Sequence, residues 1–294
     1  MNDLPLLDAI DIEILMHRDI HFGGNFEVML EYYKGEHVGV MQDFDIQRIA
    51  QLAHIEKEAG SNLSEIILPE SAHLEIEKAK QLYLDLREVY EQEAPNPNSL
   101  VISNLILSES EIPQEEIDEI VKRGKEIVPL LIDMINSEMF YNPLNPGYGR
   151  APVFAAKALG LLQDDKAIFA LFHAMGKESF FTDEAMIKAI KSFGGKSKAF
   201  LINALHKKPY SKDNDHAAIC LLEFSDDPEV AHACLQSLED TDAFKRPNLI
   251  AYLIFGCAAL QEESERQKFR SIQKKQNPNS DLFKEMSIVC NNWN

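Results

Sequence analysis

A period of 31 residues constrains this chain more than any other feature of its sequence. Ala158, Ala189, Cys220 and Ala251 stand one period apart. Leu159, Ile190, Leu221 and Tyr252 follow the same step, as do Leu162, Phe193, Phe224 and Phe255. Columns that stay apolar at i, i+1 and i+4 mark one face of an α-helix, because 3.6 residues per turn bring those positions together. A polar break follows each of the first three helices: Gln163-Asp164-Asp165, Gly194-Gly195-Lys196 and Ser225-Asp226-Asp227-Pro228. A second apolar helix is predicted after each break. It carries Ile168, Leu171, Phe172 and Met175, then Leu201, Ala204 and Leu205, then Val230, Cys234 and Leu238. Aspartate is a strong N-cap, and Pro228 suits a first helical turn. The fourth copy is weaker, with Phe269 and Ile272 on a basic second helix, as befits a terminal capping unit. Such hairpins bury their apolar faces only against one another, so the expectation is an all-α fold containing an α-solenoid. Leu162, Phe193, Phe224 and Phe255 are then expected at equivalent buried positions.

One further copy lies upstream. Gln114–Arg123 and Glu126–Ile135 form a helical pair around Gly124, and Ile127 to Ile132 match a second helix. The run Ala155-Ala156-Lys157-Ala158-Leu159-Gly160-Leu161-Leu162, then Asp164-Asp165-Lys166-Ala167-Ile168 and Leu171, resembles HEAT repeats, particularly the short bacterial type also seen in phycobilin-lyase proteins. The resemblance covers roughly residues 112–275. It implies an armadillo/HEAT-type superhelix and says little about activity, since helical-repeat folds serve many functions.

Residues 1–110 read as helical without that register, a cap or small domain before a repeat region at 111–294. Asp43 or Asp45 can start a helix through Ile46, Ile49, Ala50, Ala53 and Ile55 that Gly60 closes. A longer amphipathic helix is predicted from Ser71 to Glu91, and Ala94-Pro95-Asn96-Pro97-Asn98 breaks the chain after it. Near the start, His17-Arg18-Asp19-Ile20-His21-Phe22-Gly23-Gly24 follows an apolar run, with Glu36-His37 further on. His17 and His21 at i, i+4 share a helix face, a spacing that metal ligands use. The preferred expectation is a helix end with packing histidines and no metal. A site using both histidines with an acidic partner is the alternative.

The chain carries a formal charge of −19. Residues 1–100 hold 20 acids against 7 bases. Such a field repels phosphate backbones, which disfavours nucleic acid and favours a protein or peptide with a basic surface. No run reaches 18 apolar residues, so no membrane span is expected, and the first residues lack the basic-then-apolar pattern of a conventional secretory signal. Cys220, Cys234 and Cys257 fall among apolar residues without a CxxC pair, which suits buried free thiols in the cytoplasm.

No P-loop, Gly-x-Ser-x-Gly or dinucleotide fingerprint is present. Enzymes that use HEAT-like repeats can each be weighed by their chemistry. Deoxyhypusine hydroxylase binds iron through His-Glu dipeptides, and none of the nine histidines here precedes a glutamate. HEAT-like DNA glycosylases need a basic, aromatic-lined groove. Phycobilin lyases need a hydrophobic groove with polar anchors, which nothing in the sequence singles out. The sequence therefore points to a non-catalytic, cofactor-free protein-binding scaffold or adaptor, with a HEAT-like enzyme (phycobilin-lyase-like or metal-dependent) near the histidines as the alternative. Two surfaces are candidates for a partner. One is the second-helix face, with His173, Asn203 and His232. The other is the link at 140–150, where Phe140, Tyr141, Tyr148 and Arg150 stand among glycines and prolines. Its aromatics either anchor a partner or cover the core beneath.

Overall fold

A computed structural model of the chain describes residues 8–35, 44–177 and 180–293, the side chains of Phe180 and Phe181 aside. Among them the regular structure is helical and no strand occurs. The chain divides into two compact units, Met1–Ala158 and Leu159–Asn294. The sequence places a boundary at 110/111, whereas the first unit extends past it to Ala158.

In the first unit the helices are α1 (Ala9–His21), α2 (Phe26–Lys34), α3 (Ile46–Ala59), α4 (Leu63–Ile67), α5 (Glu70–Glu91), α6 (Pro97–Leu107), α7 (Gln114–Arg123) and α8 (Val128–Asn136). Helix α9 (Ala151–Leu162) carries the boundary. The local signals act as expected. Asp45 accepts from the Gln47 amide at 2.9 Å to start α3, and Gly60 at φ +62° ends it. Asn96 caps α6 with Pro97 in its first turn. Helix α7 runs through a 3-10 turn at Gly124–Ile127 straight into α8. A core of Ile14, Leu15, Met29, Ile49, Leu52, Leu63, Ile76 and Ala79 joins the first five helices.

Polar contacts also pin α1 in place. Asp8 and Asp11 form a capping box, and buried Asp11 takes a two-pronged bond from Arg48 of α3 at 2.6 and 2.5 Å. Arg18, fully buried, pairs with Glu56 and donates to Asp19 at 2.7 Å, Asn62 at 2.7 Å and Ser64 at 2.8 Å. A buried guanidinium is tolerable only when its donors are satisfied in this way.

The second unit continues with α10 (Lys166–Ala174), α11 (Phe180–Ser192), α12 (Gly195–Leu205), α13 (Lys212–Leu221), α14 (Pro228–Leu238), α15 (Pro247–Gly256), α16 (Glu263–Gln273) and α17 (Asp281–Asn291). Its polar contacts repeat with the sequence period. Lys196 meets Asp165 and Arg246 meets Asp215, each 31 residues apart. Lys191 bonds Glu223 and Ser192 bonds the Gly160 carbonyl, each 32 apart. Lys198–Asp227 spans 29 residues and His232–Glu265 spans 33. Residues about one sequence period apart therefore touch. At Gly160 the approach is close, since a Cβ there would lie 3.2 Å from the Ala189 Cα.

The register drifts toward the C-terminus, and one expectation needs correcting. Leu162 and Phe193 are buried, but Phe224 is only half-buried and Phe255 is 39% exposed. Helix α13 stops at Leu221, and residues 222–224 wind as a 3-10 turn, which carries Phe224 away from the face. In α15 the buried set is Leu249, Ile250, Leu253 and Ile254, continuing to Cys257, two residues out of register. Gly256 faces Cys234 so closely that a Cβ there would lie 2.5 Å from the Cys234 sulfur. That contact selects the shifted face. Cys220, Cys234 and Cys257 are buried free thiols, as expected. Burial pushes the Cys234 thiol up to about 12.

Candidate functional site

The histidine cluster is the site of the metal alternative raised by the sequence. Helix α1 ends with His21 in its last turn, and Gly23 and Gly24 at φ +61° and +74° reverse the chain. The His17 and His21 rings lie 5.1 Å apart. His17 is 2% exposed and edge-on to Phe44, and its Nδ1 has no hydrogen-bond partner among the described residues. The His21 Nδ1 lies 2.8 Å from the Tyr83 hydroxyl, and its ring packs 4.7 Å from Tyr148. Tyr83 and Tyr148 influence each other's ionisation, as Glu109 does that of Tyr32.

Desolvation dominates the protonation of this cluster. It lowers His17 to about 4. It lowers His21 to about 3, helped by His17 and opposed by the Pro143 carbonyl. It raises Tyr83 to about 12 and Tyr148 further. Near neutral pH the imidazoles are uncharged and the phenols protonated. The metal alternative needs an acidic partner, and the nearby Asp19 is held by Arg18. No group of three or more His, Cys, Asp or Glu side chains gathers as a metal site among the described residues. Glu36 and His37 lie outside them.

The link at 140–150 is tightly folded. The Asn142 side chain accepts from the Leu144 amide at 2.9 Å, and the Asn145 side chain donates to the Met139 carbonyl at 2.8 Å. Gly149, at φ +74°, sits where a Cβ would lie 2.6 Å from the Tyr141 carbonyl oxygen, so only glycine fits. Tyr141 is 5% exposed and donates to the Ile135 carbonyl at 2.6 Å. It covers core and has almost no surface to offer a partner. Tyr148, half-buried at φ +53°, packs inward on His21. Arg150 donates to the Ser110 carbonyl at 2.8 Å and lies 5.1 Å over Phe154, which makes it a strut of the link. Of the four expected residues, Phe140 lines a cleft.

That cleft has a volume of about 280 Å³ and is walled by Leu82, Leu86 and Val89 of α5, Ile106 of α6, Met139 just before the link, and Phe140 and Pro146 of the link. Asp85 and Asn145 supply its polar edge. Its origin lies in α5. The buried residues of this 22-residue helix are Ala72, Ile76 and Ala79, all in its first half. Leu82, Leu86 and Val89 continue an apolar stripe at i, i+4 and i+7 but are only half-buried. The sequence shows the stripe; that its second half stays open depends on the link.

His173, Asn203 and His232 lie on α10, α12 and α14, and all three are exposed. His173 stacks 3.9 Å from Phe169, itself 60% exposed. His232 sits between Glu265 at 2.5 Å and Gln236 at 2.8 Å. Among the described residues no hydrogen bond or ring contact joins the three to one another.

The charge divides unevenly. The first unit holds 29 acids against 12 bases, a net of −17, and the second holds 19 against 17. No helix among the described residues is long and apolar enough to cross a membrane. No family model, curated protein or solved structure matches the chain.

Proposed function

We propose that this chain is a non-catalytic, cytoplasmic protein-binding scaffold whose docking point is the cleft between α5, α6 and the 140–150 link. The cleft carries this reading. It is an apolar concavity whose walls, including Phe140, are set by a rigid link and two helices, and preformed apolar pockets are where partner side chains anchor. The second unit reads as a HEAT-type helical stack, a reading supported by polar contacts that recur at 29 to 33 residues. Three buried thiols outside any disulfide suit a reducing compartment.

The test is a photo-crosslinking amino acid placed at Met139, which is 37% exposed on the cleft wall, in cells that express the chain natively. A discrete crosslinked protein is expected from Met139 and not from an exposed control at Lys212. Equal labelling from both positions, or none from Met139, defeats the reading.

A further inference from the structure

We propose that the partner presents to the cleft a basic amphipathic helix, with one or two aliphatic side chains seated among Leu82, Leu86, Val89 and Phe140. This rests on the cleft being the docking point. Three observations carry it. The wall formed by α5 is a ridge at i, i+4 and i+7, about 10 Å long at 1.5 Å per residue. A helix lays its own ridge into such a groove, whereas an extended strand needs unpaired backbone groups beside it. The cleft is apolar but edged by the Asp85 carboxylate, with Glu88 exposed one turn from it and Glu138 exposed beside Met139. Finally, the surrounding unit carries −17 of the chain's −19 charges. An acidic partner would meet that field at close range, while lysines and arginines flanking an apolar stripe complement it.

The occupant thus has two recognition terms: aliphatic burial supplies affinity, and cationic flanks supply orientation and encounter rate. Nucleic acid satisfies neither, since its backbone is anionic.

Fluorescence anisotropy on the purified full chain separates the terms with four labelled, helix-forming peptides of about 18 residues, long enough to hold helix marginally in water. One has leucine at i, i+4 and i+7 with lysine flanks. The others replace leucine by serine, lysine by glutamate, or lysine by glutamine. The Lys/Leu peptide should bind about tenfold tighter than the Lys/Ser peptide, the return on partial burial of leucine. The Glu/Leu peptide should not bind. Val89→Trp, which fills the cleft, should reduce the Lys/Leu peptide to the Lys/Ser level. Asp85→Lys, at an exposed position, should weaken it about fivefold, in line with a single exposed charge contact. Helical circular dichroism and melting should be unchanged in both variants.

Equal binding of the Lys/Leu and Lys/Ser peptides would mean charge alone attracts them and would overturn the proposal. So would indifference to both substitutions, or loss of binding on Glu115→Lys/Glu119→Lys instead. Those acids line a separate groove with Tyr90, Leu100 and Leu107. A Gln/Leu peptide that matches the Lys/Leu peptide and is displaced by Val89→Trp would overturn the basic partner and keep the cleft as a docking point. No binding by any peptide, together with a positive crosslink at Met139, would do the same.

Discussion

Burial takes His17 and His21 far from the ordinary behaviour of an imidazole. Both imidazoles are held neutral by burial, with folded values of about 4 and about 3 against 6.5 outside the fold. The stability they allow is fully present above pH 6.5. As pH falls below that value the unfolded chain takes up protons that the folded chain refuses, and stability is lost until the folded values are reached. Between pH 6.5 and about 5 each imidazole should cost about 2 kcal/mol. Urea titrations across that range should show the loss, and His17→Phe should flatten the slope. A slope unchanged by that substitution would show that other groups carry it. In the second unit, Asn214 is buried and its amide donates to the carbonyls of Ala204, Leu205 and Lys207 at 3.1, 2.9 and 2.9 Å. Asn214→Ala leaves those carbonyls without that donor and should cost on the order of 2–3 kcal/mol, measured by denaturant midpoint.

At the scale of elements, the contrast between Phe193 and Phe255 gives a direct test of the drifting register. Phe193 is 6% exposed and Phe255 is 39% exposed, although they share a sequence column. Phe193→Ala should destabilise by about 3–5 kcal/mol through the cavity it leaves, and Phe255→Ala by less than about 1 kcal/mol. Equal losses would restore the strict period. Several helices were legible because their signals are local: Asp45 and Gly60 bracket α3, and Asp227 and Pro228 open α14, whereas Asn96 and Pro97, read as part of a break, open α6. What the pattern could not show is how far each helix rotates. That is decided by where a 3-10 turn falls, as at 222–224, or by how closely Gly256 and Cys234 approach.

For the whole molecule, the concentration of charge is the dominant electrostatic fact. With 29 acids against 12 bases in residues 1–158, self-repulsion opposes compaction more than scattered exposed ion pairs offset it. Raising sodium chloride from about 10 to about 300 mM should therefore raise the melting temperature, because screening shortens the reach of that repulsion from roughly 30 Å to under 10 Å. A fall would mean that the ion pairs, and buried Arg18 with Glu56 above all, outweigh the net field.

The sequence by itself determined the helical class, some of the capping residues, and the 31-residue recurrence that reappears as Lys196–Asp165 and Arg246–Asp215 contacts. It did so because caps, turns and helical periodicity act within a few residues, and a repeat is visible as a repeat. It also marked the 140–150 link as a surface of interest. Only the tertiary structure sorted that link into Tyr141, buried as core; Arg150, bonded to the Ser110 carbonyl; and Phe140, on the wall of a cleft. Leu82, Leu86 and Val89 continue the apolar stripe of the predicted amphipathic helix. They stand half-open because the link and α6 cover α5 only in part, and how much of an apolar stripe is covered depends on residues far away in the chain.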